Sequence, residues 1–321
     1  MSQDAKSLSG RPTVLAVSKL PPLYLGPLAE RYEVLDRLHE TDPAALAIAA
    51  PRIRAVAASG ESKLPADLVG KLPALEIVAV MGVGYDGIDV PACKARGAKV
   101  THTPDVLNDD VADLAMALLL AAIRRIAQGD RYVREGKWVA KGHMALTDTL
   151  RNRTLGMVGF GRIGKVIAKR AAAFDLKIVY HARTHQTGQA YVHYPRLVEM
   201  ARDVDILMVI VPGGAATRHL INAQVLEALG PSGYLINVSR GSVVDEAALV
   251  KALEQGKIAG AGLDVFENEP GVPEALMKMD QVVLAPHVGS ATHHTRNAMA
   301  QLVVDNLKAW REGRPPLTPV K

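Results

Sequence analysis

The sequence predicts an α/β fold built on parallel sheets and divided between two domains. Three observations predict it. The chain has 321 residues, more than one ordinary core holds, and that length suits two domains of roughly 100–200 residues each. Short β-branched apolar runs alternate with helical stretches, the pattern of strands joined by crossover helices. One of these strands leads into a glycine-rich turn that opens a helix.

The elements follow in order. Candidate strands in the first third are Val14–Ser18, Val34–Leu38, Ala55–Ala58, Ile77–Val80 and Lys99–His102, with helical stretches containing Ala, Leu and Lys between them. A long helix is expected from Asn108 to Ile126. Asn108 and Asp109 can cap it, and the acidic first turn suits the positive end of the helix dipole. This helix marks the crossing into the second domain. The second series of strands is Leu155–Gly159, Lys177–Tyr180, Ile206–Val211, Tyr234–Val238, Ala261–Val265 and Val282–Ala285. A last amphipathic helix, about Thr292 to Arg311, carries Leu302, Val303, Leu307 and Trp310 toward one side. Pro315-Pro316 cannot continue it.

Composition narrows the function classes. Aromatic residues make up 4% of the chain, too few for a stacking platform for single-stranded nucleic acid. The net charge of +5 comes without a Lys/Arg run, which favours small anions over DNA as partners. A single cysteine, Cys93, excludes an intrachain disulfide and a thiolate metal cluster, and suits a reducing compartment. Met1–Arg11 is polar, without the apolar segment of a signal peptide. The longest apolar stretch, Leu114–Ile123, is far short of the roughly 20 residues of a membrane helix. The expectation is a cytoplasmic protein with a small-molecule substrate, no nucleic acid, no membrane and no metal.

The glycine-rich turn reads TLGMVGFGRIG from Thr154 to Gly164. Gly159 permits a tight turn, Gly161 lets the backbone approach a pyrophosphate, and Gly164 lets helix pack on strand. Phe160, Arg162 and Ile163 fill the variable positions. The strand–turn–helix context makes the whole turn a dinucleotide-binding candidate. An acidic residue should close the next strand to hold the ribose hydroxyls of NAD. Here the strand closes Tyr180-His181-Ala182-Arg183-Thr184. Arg183 can grip a 2′-phosphate through charge-assisted hydrogen bonds and Thr184 can add a hydroxyl, so NADP(H) is expected over NAD(H).

Three polar residues directly follow three predicted strands: Arg240, Glu269 and His287. Parallel sheets bind ligands at the carboxyl ends of their strands, so these side chains should gather on the edge that holds the cofactor. Arg240 offers a bidentate grip on a carboxylate. His287 has the pKa range to give a carbonyl oxygen its proton as hydride arrives. Glu269 would orient the imidazole and favour its charged form. Glu267 competes with Glu269 for this role, and His293 and His294 compete with His287, although both fall in the terminal helix pattern.

With these residues in place, the chain resembles the D-isomer-specific 2-hydroxyacid dehydrogenases along nearly its whole length. The motifs are GMVGFGRIG, NVSRGSVVDEAALVKAL, GAGLDVFENEP and APHVGSAT. The resemblance implies a catalytic set of Arg240, Glu269 and His287. It implies further cofactor contacts at His181, Val211, Pro212, Thr217, Val238, Ser239, Asp264 and Gly289, with Asp264 facing the nicotinamide carboxamide. MGVGYDGID resembles the family's substrate loop, which would place the backbone of Val83 and Gly84 beside Arg240 on the substrate carboxylate. The implied architecture is two Rossmann-like or flavodoxin-like domains with a cleft between them. A substrate domain of residues 1–106 and 290–321 is interrupted by an NADP-binding domain of residues 107–289. The segment from Lys137-Trp138-Val139 to Met144-Ala145-Leu146 lies where the family reaches across a homodimer. The HART strand ending resembles that of the NADPH-dependent glyoxylate and hydroxypyruvate reductases. The alternatives are another reaction of the family, on phosphite, formate, phosphoglycerate or D-lactate, and a nucleotide-sensing protein like the corepressors that share the fold.

Overall fold

The computed structural model describes residues 11–320, so all of the polar start but Arg11 lies outside the described residues. The chain divides into two compact units. One comprises Met1–Leu107 with Thr292–Lys321, described from Arg11 and to Val320, and the other Asn108–Ala291.

The first unit holds a five-stranded parallel sheet of β1 (Thr13–Ala16), β2 (Glu33–Asp36), β3 (Ile53–Ser59), β4 (Ile77–Met81) and β5 (Lys99–Thr101), in the order β2-β1-β3-β4-β5. Central strands pair apolar with apolar, as in Val14 with Ala55 and Val56 with Val78. They are buried on both faces, so they read as unbroken apolar runs rather than as alternation. The terminal helix His293–Arg311 belongs to this unit, and the Thr292 hydroxyl caps it by accepting the Thr295 N–H at 3.1 Å. Val303 and Leu307 are buried as expected, whereas Trp310 is half-buried and donates its indole N–H to Glu76 at 2.8 Å.

The second unit holds a seven-stranded parallel sheet. Its strands are β6 (Thr154–Val158), β7 (Lys177–His181), β8 (Val192–His193), β9 (Ile206–Val209), β10 (Tyr234–Asn237), β11 (Gly260–Leu263) and β12 (Val282–Leu284), ordered β12-β11-β10-β9-β6-β7-β8. The order reverses at β6, which places the glycine-rich turn at the switch point where such sheets bind ligands. β8 escapes a sequence reading because two residues carry no periodicity.

The long helix expected to reach Ile126 stops at Ile123. The apolar pattern gives way there to Arg124-Arg125, Arg125 turns left-handed at φ 50°, and a second helix, Ile126–Arg134, sets off. Most strands also end a residue or two before the apolar run does, as with Ile210 and Val211 beyond β9, because the last apolar residues pack in the loops that carry the site. Among the described residues no helix is long and apolar enough to cross a membrane.

Candidate active site

The glycines of the turn after β6 divide their work. Gly159 sits at φ +96°, and a Cβ there would lie 2.6 Å from the Ile210 carbonyl oxygen, so only glycine fits. A Cβ at Gly164 would lie 2.8 Å from the Gly159 oxygen, because the first turn of helix Arg162–Ala172 rests on the loop itself. Nothing lies within 4 Å of a Cβ built at Gly161, the residue that caps that helix. The helix N-terminus therefore looks onto an open cradle able to take a pyrophosphate, and a dinucleotide fits here. Phe160 is buried, Ile163 is half-buried and Arg162 is exposed. Val211 packs against Gly159, and the Thr217 hydroxyl donates to the Pro212 carbonyl at 2.7 Å, closing the loop after β9 on itself.

His181 ends β7 and donates from Nδ1 to the Tyr194 carbonyl at 2.9 Å. Arg183 and Thr184 follow it, exposed, and no carboxylate stands between Tyr180 and Gln186.

The loops after β10, β11 and β12 bring Arg240, Glu269 and His287 together, all in the second unit. Asn237, 1% exposed at the end of β10, shapes the first loop. Its amide donates to the Arg240 carbonyl at 3.1 Å, and its Oδ1 accepts the Ser239 N–H at 3.1 Å and hydroxyl at 2.8 Å. Val238 and Ser239 are thereby buried, and the Arg240 guanidinium donates to the Ser239 carbonyl at 2.8 Å. Gly241 lets this loop meet the next: a Cβ there would stand 1.8 Å from the Phe266 carbonyl carbon.

Glu269 accepts the Phe266 N–H at 2.9 Å on one oxygen and His287 Nδ1–H at 2.7 Å on the other. Partial burial pushes its carboxyl up. The His287 hydrogen bond, the Phe266 amide and the nearby charges of His287 and Arg240 outweigh it, leaving Glu269 below the usual carboxylate value. The bond to Glu269 assigns the imidazole proton to Nδ1 and leaves Nε2 as the atom able to exchange a proton with a ligand. His287 itself adopts φ 52°. Its N–H donates to the Asp264 carbonyl at 2.8 Å, and the two Asp264 side-chain oxygens accept the Val288 and Gly289 amides at 2.7 and 2.9 Å. Asp264, expected to face the cofactor, thus pins the turn that presents His287 with both of its oxygens, and burial keeps its pKa raised against the pull of those amides.

Glu267 is occupied elsewhere, accepting His219 Nε2–H at 2.7 Å and the Arg218 guanidinium at 3.0 Å. His293 and His294 are exposed on the first turn of the terminal helix. Two residues that the sequence did not single out support the site. One is Asn237. The other is Glu246, 8% exposed, which accepts the Glu267 N–H at 2.8 Å. Burial, aided by the charges of Glu267 and Glu269, raises the Glu246 pKa. Both lie in unremarkable contexts, a strand end and a helix first turn, and only burial sets them apart.

In the first unit, Val83 and Gly84 follow β4. The Val83 carbonyl accepts His102 Nδ1–H at 3.1 Å, and a Cβ at neighbouring Gly82 would lie 2.8 Å from the Gly60 Cα. The glycines here let the loops after β3 and β4 touch.

Residues 116–289, more than half of the chain, match the family described as D-isomer specific 2-hydroxyacid dehydrogenase, NAD binding domain. The chain belongs to the D-isomer specific 2-hydroxyacid dehydrogenases. Within this family it is 52% identical over 268 residues to a glyoxylate/hydroxypyruvate reductase of Arabidopsis thaliana, covering 84% of this chain and 85% of that one. It is 50% identical over 275 residues to a hydroxyphenylpyruvate reductase of Plectranthus scutellarioides, covering 86% and 88%. Among solved dehydrogenase structures, the NADPH-dependent glyoxylate/hydroxypyruvate reductase of Sinorhizobium meliloti, in complex with NADP and malonate, superposes with a TM-score of 0.91 at 52% identity over 97% of each chain.

Proposed function

We propose that the protein reduces small 2-oxo acids, glyoxylate and hydroxypyruvate first among them, to 2-hydroxy acids with NADPH. One observation carries the reading: Glu269 holds His287 by Nδ1 at 2.7 Å, within the field of Arg240. In this reading Arg240 grips the substrate carboxylate through paired N–H donors. His287 Nε2 delivers the proton to the carbonyl oxygen. Glu269 keeps the ring oriented and stabilises its charged form. NADPH, when bound, supplies the hydride. The Gly159–Gly164 turn holds the pyrophosphate, and Arg183 with Thr184 takes the 2′-phosphate that a carboxylate would repel. The S. meliloti relative, an NADPH-dependent enzyme seen with NADP, supports the choice of cofactor.

We further infer a homodimer in the cytoplasm. Trp138, Val139 and Leu146 are 56%, 96% and 97% exposed, large apolar side chains within one stretch of chain that a second copy would cover. The lone cysteine suits a reducing compartment. Sedimentation at the monomer mass would overturn the dimer.

The test of function is to follow NADPH or NADH absorbance on adding glyoxylate, hydroxypyruvate, hydroxyphenylpyruvate, pyruvate or phosphite. Oxidation with none of the oxo acids ends the reading. Replacing His287 by Ala should lower kcat by roughly 10²–10⁴-fold, and a rate near wild type assigns the proton to another group. Arg183→Ala should raise the KM for NADPH far more than that for NADH, whereas equal changes return the residue to the solvent.

A further inference from the structure

The segment after β7 does not hang free beyond Arg183 and Thr184. It folds back onto the glycine-rich turn through Gln186, whose side-chain amide donates to the Phe160 carbonyl at 2.7 Å. The Gln186 backbone N–H donates to the Tyr180 hydroxyl at 2.9 Å. Beneath these bonds Phe160 stacks on Tyr180 with ring centres 4.6 Å apart and meets Tyr191 edge-on at 5.7 Å. The flanks are fixed as well: His193 Nε2–H donates to the Ala182 carbonyl at 3.0 Å, and His181 Nδ1–H to the Tyr194 carbonyl at 2.9 Å. Arg183 and Thr184 are, with His185, exposed residues of a tethered loop, and the tether ends on the second residue of the phosphate cradle.

We propose that Gln186 is a positioning residue for cofactor selectivity: it ties the loop bearing Arg183 and Thr184 to the Phe160 carbonyl, and so fixes the distance between the pyrophosphate cradle and the 2′-phosphate grip. The proposal rests on the NADPH reading and adds the residue that makes the grip rigid. A guanidinium on an untethered loop must be ordered at the moment it takes the phosphate, which weakens binding; one already held in place avoids that loss. NADH has no 2′-phosphate and gains little from a prepositioned Arg183. The effect of the tether therefore falls on one cofactor and spares the other.

The experiment is direct titration of the full-length protein with NADPH and NADH, read by cofactor fluorescence, and with 2′,5′-ADP and 5′-AMP, read by calorimetry. Gln186→Ala should weaken NADPH and 2′,5′-ADP about tenfold, the size of one or two lost hydrogen bonds, and NADH and 5′-AMP by less than about twofold. Tyr180→Phe keeps the ring stack, removes the acceptor for the Gln186 N–H, and should weaken NADPH selectively by a smaller factor. It also keeps the test open if Gln186→Ala folds poorly. Equal weakening of both cofactors in these variants, or unchanged NADPH affinity, overturns the role of Gln186 while leaving the NADPH reading intact. Wild-type protein that binds NADH as tightly as NADPH overturns both, and this control separates the two failures.

Discussion

His287 stands at φ 52°, a left-handed conformation that few residues other than glycine adopt, although histidine enters it more readily than most. Such a residue persists where its surroundings over-determine it, and here Asp264 binds the backbone on both sides of the ring. The carboxylates around this turn titrate in opposite directions. Glu269 is held below its usual pKa of 4.5. Its pairing therefore stabilises the fold above that value, and this stabilisation is lost as pH falls through the lower folded value. Glu246 is raised above 4.5. Its ionisation is disfavoured in the folded state, so stability drains away as pH climbs from 4.5 through the raised value. Glu246→Gln keeps an oxygen for the Glu267 N–H and removes that penalty. The variant should match wild type in denaturant midpoint at pH 4 and exceed it at pH 7. A lower midpoint at pH 7 would show that the charge itself holds the loop.

At the scale of the element, strand ends make the site, and this is why so much of it was legible. Parallel strands bring their carboxyl ends to one edge, so Arg240, Glu269 and His287 could be placed together from three apolar runs and their following residues. Loop-to-loop contact was not legible, because it depends on which loops meet. Gly241 is the example: it reads as one more glycine of SRGS, yet the Phe266 backbone lies where its Cβ would go. Gly241→Ala must push apart the loops that carry Arg240 and Glu269. The expected loss is at least the roughly 1–3 kcal/mol of an overpacked core, together with a fall in kcat, read by chemical denaturation and steady-state kinetics. Wild-type stability and rate would show that the two loops yield without consequence. The break at Arg125 was hidden for a related reason. Arginine is a good helix former, and its left-handed turn reflects where the chain must go next, not what the residue prefers.

At the scale of the molecule, each unit carries its own core, and the polar residues behind the site owe their importance to burial, as for Asn237 and Glu246, or to tethering, as for the half-buried Gln186, neither of which local sequence encodes. Cys93 shows the same dependence in reverse. As a lone cysteine it could be reactive or inert; in the fold it is fully buried in the core of the first unit with Leu64, Val78 and Val100. Burial, with the charge of Asp89, pushes its thiol from 9.0 up to about 11. That rise alone cuts the thiolate fraction near neutral pH roughly a hundredfold, and the thiolate is the reacting form. Alkylation of the native protein by iodoacetamide at pH 8 should therefore proceed only through opening of the first unit, more than about a hundredfold slower than in 8 M urea. The unfolded chain has the ordinary thiol and full access. Labelling in native buffer at the unfolded rate would place Cys93 outside the core, and with it the packing of the helix Val90–Ala95 against the first sheet.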